Sequence, residues 1–139
     1  MADQQTTERA KKFVAAHEAK FKPLDRRAGI AWWDANVSGS DADFARKEKA
    51  QNDIDAALSN AEAFAELKTL KESSKAGQID DKEIARCIDV LYLAYLEKQV
   101  DPELLKKIVA KANAVEKKFN VFRANVDGKE MTDSEVRKV

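Results

Sequence analysis

The stretch from Ile79 to Leu96, IDDKEIARCIDVLYLAYL, constrains the fold most, because it is apolar on more than one side. One helical face carries apolar residues at three- and four-residue steps: Ile84, Cys87, Ile88, Leu91 and Tyr95. Further apolar residues extend this surface around the helix: Val90, Leu93, Ala94 and Leu96. A helix that is apolar on most sides must be covered on most sides. The pattern therefore predicts a central apolar helix near residues 80–98, with the other helices packed around it.

The residues around the start of this helix also predict how it begins. Asp80 is placed to cap the free N–H groups, and Glu83, three residues later, is placed to reach back to the cap. Ile79 and Ile84 occupy the two positions of a hydrophobic staple. Cys87 lies in the apolar run, which predicts a buried, inert thiol. As the only cysteine it forms no internal disulfide, so the fold does not depend on an oxidising compartment.

Length and composition favour a single helical domain over residues 1–139. Hydrophobic residues make up 44% of the chain, and only 4 Gly and 2 Pro interrupt it, as is typical of all-α proteins. The 25 basic and 25 acidic residues balance, which argues against nucleic acid or an anionic membrane as a partner. No apolar run approaches the roughly 20 residues of a membrane span. The first residues lack a signal-peptide core, which predicts a cytoplasmic protein, or a periplasmic one if a preceding signal is removed.

Two long segments carry heptad stripes, the pattern of helices that pack along other helices. The first begins at Thr6 or Thr7 and runs to about Asn36, with this stripe: Ala10, Val14, His17, Phe21, Leu24, Ala28, Ala31 and Ala35. Pro23 predicts a kink or break near residues 19–23, because it removes a backbone donor and clashes with the preceding turn.

The second striped segment begins at Asp101-Pro102, where Asp caps and Pro fits the first helical position. Its stripe is Leu105, Ile108, Ala112, Val115, Phe119, Phe122 and Val126, and we expect it to end at Asp127-Gly128. Both striped helices are expected to pack antiparallel-like against the central helix. The neighbouring lysines are expected to form a solvated face: Lys106, Lys107, Lys111, Lys117 and Lys118.

Two further helices are predicted before the central one. Residues 36–40, NVSGS, form a loop by composition, and Ser40 or Asp41 caps a second helix. Ser59 and Glu62 form a capping-box pattern for a short third helix. The apolar residues of these two helices are Phe44, Ala50, Ile54, Ala57, Leu58, Phe64, Leu67 and Leu70. Gly77 can take the left-handed conformation that ends the third helix.

The last residues predict the start of a sixth helix. Thr132 and Glu135 form a capping box, and Met131 and Val136 form a staple pair. A helix of so few residues is unstable alone, since even about 12–15 residues are marginal. The pattern favours a truncated sixth helix at the front of a longer protein; a short terminal turn is the alternative. No segment alternates for long enough to predict a sheet. The predicted fold is an all-α bundle of about five helices plus a truncated sixth.

The residues predict no catalytic, cofactor or metal site. His17-Glu18 begins like the zinc motif H-E-x-x-H, in which two histidines on one helix face bind the metal and Glu acts as the base. The fifth position is Phe21, however, and the chain has no second histidine. His17 is therefore interpreted as a packed or partly exposed structural residue of the first stripe.

Trp32-Trp33 is the most distinctive local cluster. Adjacent helical residues point about 100° apart, so the two indoles cannot lie on one face. We expect one indole to lie in the core. The other is left to contact a second domain, a ligand or solvent.

Three segments of the chain have sequence patterns like those of a known family: AGIAWWDANVSGSDADF (28–44), CIDVLYLAYLEKQVDPELL (87–105) and FNVFRANVDGKEMTDSEVRKV (119–139). They resemble the N-terminal region of bacterial zinc metallopeptidases related to angiotensin-converting enzyme, a peptidyl-dipeptidase, and to the oligoendopeptidases. The resemblance covers about residues 10–139. It implies an all-helical, two-lobed protein with a deep cleft, whose H-E-x-x-H helix and later Glu ligand lie downstream of this region.

The resemblance implies that this chain is a wall or lid of the peptidase cleft. No catalytic or metal residue of the family has a match here, so the chain should be inactive alone, with zinc expected only in the complete protein. Its expected partners are the remainder of the peptidase, or further copies of itself through exposed apolar helix faces. Peptide substrates are expected only for the complete protein. The alternative is a stand-alone helical interaction module that holds a partner helix in an apolar groove.

Overall fold

The computed structural model describes residues 3–138 and is helical apart from one small hairpin. The elements are α1 (Gln4–Ser38), α2 (Asp41–Leu58), α3 (Ala61–Lys75), α4 (Lys82–Leu96), α5 (Pro102–Val121), β1 (Ala124–Val126), β2 (Lys129–Met131) and α6 (Asp133–Val136). This confirms the predicted all-α bundle of five helices followed by a short sixth. None of the helices in these residues is both long and apolar enough to cross a membrane.

The core lies where α1, α3 and α4 meet. α1 packs against α2, α3 and α4, and α3 packs against α4. The buried cluster contains Ala10, Phe21, Leu67, Leu70, Ile79, Ile88 and Tyr95. The stripe predicted for the first helix is confirmed, because all eight of its residues are buried or half-buried.

α1 is continuous through Pro23, so the predicted break does not form. Pro23 and Ala19 lie on the exposed side of the helix. The carbonyl group left without a donor by the proline is therefore open to water, and the stripe packs on both sides of it. α1 also extends further than expected, to Ser38, so Asn36–Ser38 are helical and not loop. Gly39 ends the helix at φ 66°, and its N–H donates to the Ala35 carbonyl at 2.9 Å.

Two predicted caps shift by one residue. Asn60 replaces Ser59 as the cap of α3, and its Oδ1 accepts from the Ala63 N–H at 2.7 Å. The Ser59 hydroxyl instead donates to the Asp55 carbonyl at 2.7 Å. Asp81 replaces Asp80 at the start of α4, because its Oδ1 accepts from the N–H groups of Glu83 and Ile84 at 3.0 and 3.1 Å. Asp80 lies before the helix, and its N–H donates to Thr7 Oγ1 at 3.0 Å.

The first helix begins earlier than expected, because Asp3, and not Thr6 or Thr7, caps it by accepting from the Gln5 N–H. The other predicted caps are confirmed. The Ser40 hydroxyl accepts from the Asp43 N–H at 3.2 Å at the start of α2. Asp101 caps α5, with Pro102 at its first position. Gly77 is left-handed, with φ 69°, directly after α3. Thr132 and Glu135 form the predicted capping box of α6.

α4 is covered on one side, not on most sides as predicted. Ile88 and Tyr95 are buried against α1 and α3, whereas Val90, Leu93 and Leu96 are exposed. The reason is the position of α5, which has α2 as its main packing partner. The predicted packing against α4 is therefore right for α1 and wrong for α5.

α5 ends at Val121, and a β-hairpin follows where we expected more helix. Asp127 and Gly128 both have positive φ, 51° and 84°, as a type I′ turn requires. The turn pairs Val126 with Lys129, and Asn125 Oδ1 accepts from the Gly128 N–H at 2.9 Å. Asp-Gly is a strong hairpin signal, and here it outweighs the helical spacing that continues to Val126.

Candidate functional site

The outer side of α5 carries an open apolar row, which we call the α5 seam: Leu104, Ile108, Ala112, Val115, Phe119 and Phe122. The first five follow one another at three- and four-residue steps and so share one helical face, and Phe122 follows directly after the end of α5. Phe119 is 84% exposed, Phe122 70% and Val115 68%. The heptad stripe predicted to bury this helix therefore faces solvent, apart from Leu105, which is buried, and Val126, which is half-buried in β1.

α5 instead packs into the bundle through a second row of residues, which runs beside the seam on the surface of the same helix. Its buried residues are four apart: Leu105, Val109 and Asn113. This row lies against α2. Because the two rows are adjacent, burying one leaves the other as an open apolar strip along the same helix.

A polar network that sequence reasoning missed fixes this orientation. Lys47 of α2 lies with its Nζ 2.6 Å from Glu116 Oε2 and 3.1 Å from Asn113 Oδ1. The Asn113 amide donates to the Phe44 carbonyl at 3.1 Å and to Glu48 Oε2 at 3.2 Å. The sequence does show that the row through Leu105 and Val109 continues into polar side chains, and this is the signal that could have indicated the network.

The network reaches α1 as well. Asn36 Nδ2 donates to Glu116 Oε1 at 3.3 Å, and Asn120 donates to the Asn36 side-chain oxygen. Partial burial alone would raise the pKa of Glu116, but hydrogen bonds from Lys47 and Asn36 outweigh it and hold that pKa below its ordinary value. Glu116 is therefore an anion that is already fully engaged within the bundle.

A groove of about 550 Å³ runs beside the α5 seam, between α2 and α5. The seam contributes Leu104, Ile108 and Ala112 to its lining. α2 contributes Gln51 and the buried Asp55, whose Oδ1 accepts from Gln51 Nε2 at 3.0 Å. The apolar strip is therefore the edge of a concave surface.

The opposite edge of the seam is basic. Lys107, Lys111 and Lys118 are exposed there and form no ion pair with any residue between 3 and 138. Lys106 and Lys117 on the same helix do have partners, Glu103 and Asp41. Three unneutralised ammonium groups thus border the apolar strip.

A second cavity, of about 750 Å³, lies at the C-terminal end of the seam. It is lined by Phe119 and Phe122 of the seam and by residues of the hairpin and α6, including Arg123 and Val136. The Arg123 guanidinium donates to the carbonyls of Asn120 and Phe122 at 3.1 and 2.7 Å. The apolar surface therefore continues past the end of α5.

α1 exposes a shorter apolar row, formed by Ile30, Trp33 and Val37. Trp33 is 64% exposed and Trp32 49%, so the prediction that one indole lies in the core is wrong. At this end of α1 the stripe that faces the bundle consists of alanines, including Ala31 and Ala35. Small side chains bring the helices close together and leave no room for an indole between them.

His17 has the structural role expected for it. Its ring stacks on that of Phe21, with centroids 4.1 Å apart, and its Nδ1 lies 3.1 Å from the Tyr95 hydroxyl. Burial lowers the pKa of His17, which the nearby carboxylates of Asp25 and Glu18 offset only in part. The imidazole is thus part of the aromatic packing between α1 and α4.

Cys87 is exposed, so its predicted burial is wrong. It lies beside the uncovered side of α4 that carries Val90 and Leu93.

Within the part of the chain that the structure describes, no group of three or more His, Cys, Asp or Glu side chains could hold a metal ion. No protein-family profile, curated protein or solved structure matches this chain.

Proposed function

We propose that this chain forms a helical wall or lid of the substrate cleft in a zinc-dependent peptidase. The observation that carries the proposal is the pair of apolar rows on α1 and α5, which none of residues 3–138 covers. The core between α1, α3 and α4 is closed without them. The likeness of residues 28–44, 87–105 and 119–139 to the zinc metallopeptidase family suggests what would cover these rows.

Exposed apolar rows of this kind are typical of surfaces that another domain or protein covers. Contiguous apolar patches rimmed by polar residues mark interaction sites. Burial of each large side chain, such as Trp33, Phe119 or Phe122, contributes about 1.5–3 kcal/mol. In the proposal, the α1 row and the α5 seam dock against the catalytic part of the peptidase, and peptide substrates bind only to the complete protein.

The proposal assigns the metal and the catalytic groups to the rest of the peptidase. A zinc site of the H-E-x-x-H type does not fit this chain, since His17 is its only histidine and contacts Tyr95 and Phe21. The residues of this chain would shape access to the cleft. The proposed location is the cytoplasm, or the periplasm if a signal peptide is removed.

The test is native capture of the endogenous protein with an antibody against this chain, followed by zinc analysis and peptide-hydrolysis assays. We expect a polypeptide or complex much larger than 15.5 kDa, with about one zinc ion per chain and hydrolysis that a chelator abolishes. The recombinant 139-residue chain should hydrolyse no peptide. Zinc-dependent hydrolysis by that chain alone, or a captured protein without zinc or activity, would overturn the proposal.

Variants in the endogenous gene sharpen this test. Trp33→Ala with Phe119→Ala removes one aromatic side chain from each open row and should lower the yield of active complex. Lys12→Ala with Lys20→Ala, at exposed positions elsewhere on α1, is the matched control and should leave the yield unchanged. Equal yields from both double variants would contradict docking through these rows.

The second candidate is a stand-alone interaction module, which the groove beside the α5 seam favours. A concave apolar strip between two helices is the usual receptor for an amphipathic partner helix. The reading frame after Val139 separates the two candidates. A frame that continues to H-E-x-x-H supports the peptidase, and a stop codon with a zinc-free endogenous protein of 15.5 kDa supports the module.

A further inference from the structure

The spacing of the α5 seam fits one kind of contact, the packing of a second helix along it. Ile108, Ala112, Val115, Phe119 and Phe122 alternate four- and three-residue steps, which is the 3.5-residue repeat of helices packed knobs-into-holes. The strip is narrow, as a helix–helix seam is. Ala112 leaves a notch between the larger side chains of Ile108 and Val115, where a side chain of the partner could insert.

The shape beside the seam distinguishes a helix from a lipid surface. The seam forms one edge of the groove of about 550 Å³. The other wall is α2 together with the segment after α4, and its lining includes both acidic and basic side chains: Lys47, Glu48, Asp55, Glu97 and Lys98. A helix is a cylinder roughly 10 Å across and can enter such a concavity. A flat membrane surface cannot reach its floor. The concave shape therefore favours a helical partner over an anionic bilayer, although both match an apolar strip with basic residues beside it.

The charged side chains along the edge of the seam away from the groove indicate which kind of helix binds there. Lys107, Lys111 and Lys118 form a basic row along the seam, without ion pairs to residues 3–138. Opposite charges across a helix pair set partner choice. We propose that the α5 seam binds an amphipathic helix with acidic side chains along the edge that meets this basic row.

The inference deepens the second candidate function by naming the chemistry of the partner. It stands on α5 and α2 alone, so it holds equally if the acidic helix belongs to a larger peptidase. Its experiment uses synthetic peptides and no peptidase assay, so its failure would leave the peptidase proposal unaffected.

A second copy of the chain fits the seam less well. Two antiparallel α5 helices would place the basic rows of both copies against each other, and like charges across such a contact are destabilising. Two parallel helices would place the basic row against Glu116. Both oxygens of that carboxylate are already engaged, by Lys47 at 2.6 Å and by Asn36 at 3.3 Å.

The experiment measures binding of two labelled synthetic helices, about three heptads long, to the full chain by fluorescence anisotropy. Both peptides carry the same leucine and isoleucine heptad positions. One has glutamate and the other lysine at the positions that flank them. We expect the glutamate peptide to bind about tenfold more tightly, because three exposed ion pairs act in the same direction. The preference should shrink as salt is raised.

A charge-reversal variant tests whether the three lysines cause the preference for the glutamate peptide. Lys107→Glu, Lys111→Glu and Lys118→Glu together should make the lysine peptide the tighter binder. Lys12→Glu, Lys20→Glu and Lys68→Glu change the net charge by the same amount at exposed positions away from α5. This matched control should keep the preference for the glutamate peptide, apart from a uniform loss of affinity.

A second pair of variants tests the apolar contact. Phe119→Ala should weaken the glutamate peptide about tenfold or more, since aromatic anchors dominate such contacts. Phe119 is 84% exposed, so the helical circular dichroism spectrum should be unchanged. Trp33→Ala, the same kind of truncation on α1, should leave affinity unchanged.

Four results would overturn the inference. The first is equal affinity for the two peptides, and the second is no binding of either. The third is self-association of the chain that Phe119→Ala abolishes and that excludes the glutamate peptide, because the seam would then take a second copy. The fourth is Phe119-dependent binding to phosphatidylserine vesicles without binding to the glutamate peptide, which would make the surface a membrane site.

Discussion

His17 Nδ1 lies 3.1 Å from the hydroxyl oxygen of Tyr95, and this pair joins α1 to α4 at the core. Tyr95 is only 3% exposed, and His17 stacks on Phe21. Burial raises the pKa of Tyr95 and lowers the pKa of His17. Both shifts favour neutral side chains, and a neutral phenol that donates to an unprotonated Nδ1 satisfies both groups.

Tyr95→Phe should lower the free energy of unfolding by about 1 kcal/mol, because it removes the partner of a half-buried ring nitrogen and leaves the aromatic packing in place. Urea unfolding followed by circular dichroism at 222 nm measures this loss. Tyr92→Phe is the matched control. Tyr92 also packs on an aromatic ring, Phe64, but its hydroxyl has no hydrogen bond to residues 3–138. Equal losses in the two variants would contradict the role given to the His17–Tyr95 contact.

The stability of the protein should fall with acidification through the range in which His17 titrates. The pKa of His17 in the folded state lies below the ordinary value of 6.5. Between these two pKa values the unfolded chain binds more protons, so the free energy of unfolding rises with pH there. The stabilisation is complete above about 6.5 and is lost as the pH falls through the folded pKa.

NMR titration of the His17 ring protons measures that pKa directly. Urea unfolding from pH 7.5 down to 5 then measures the stability, and His17→Gln serves as the reference without an imidazole. The difference in unfolding free energy between the two proteins should shrink towards low pH. A folded-state pKa at or above 6.5 would show that burial is not the dominant influence on this ring.

Features that depend on a few neighbouring residues were predictable. The caps at Ser40, Asp101 and Thr132 and the left-handed Gly77 follow from short sequence patterns, and the structure has all four. The stripe of α1 was predictable as well, because only one of its faces carries a long apolar repeat. Such patterns fix where a helix begins and which side is apolar.

The orientation of α5 was not predictable, because two apolar rows overlap on that helix. The heptad row through Ile108 and Phe119 is the more apolar of the two, and on periodicity alone it should be buried. The row through Val109 and Asn113 is buried instead, since Lys47 of α2 hydrogen-bonds to the Asn113 side chain. That interaction joins residues far apart in sequence, and no local pattern reveals it.

The exposed side of α4 illustrates the same limit. Val90 and Leu93 were predicted to be covered because an apolar helix needs cover on each apolar side. The pattern identifies the side but not the body that covers it. Within residues 3–138 no helix packs over that side, so both residues are exposed.

Asn113→Ala should lower the free energy of unfolding by about 1–3 kcal/mol. The change leaves the Phe44 carbonyl without its side-chain donor and removes an acceptor from Lys47, whose side chain is only 15% exposed. Urea unfolding gives the total effect. Amide hydrogen exchange should also accelerate along α5, which the network holds against α2.

Asn52→Ala is the control for this substitution. Asn52 is half-buried on α2, and its side chain makes no hydrogen bond within residues 3–138. Its replacement should change stability by less than about 0.5 kcal/mol. Similar losses in both variants, or unchanged exchange along α5, would show that the polar network does not hold this helix in place.

Replacing glycine by alanine should have opposite effects at two positions of the chain. Gly29 lies within α1, and a Cβ added there would meet nothing within 4 Å. Gly29→Ala should therefore raise the free energy of unfolding by about 0.5–1 kcal/mol, because alanine loses less backbone freedom on entering a helix. Gly39 has φ +66°, and its added Cβ would lie 3.3 Å from Val121 Cγ1.

Gly39→Ala should lower the free energy of unfolding by about 1 kcal/mol or more, through the left-handed backbone and the close approach to α5. Urea unfolding of both variants beside the unmodified chain measures the two signs. Each substitution is the control for the other, since the chemical change is identical. A change of the same sign at both positions would show that the left-handed turn between α1 and α2, and its contact with Val121, do not constrain the bundle.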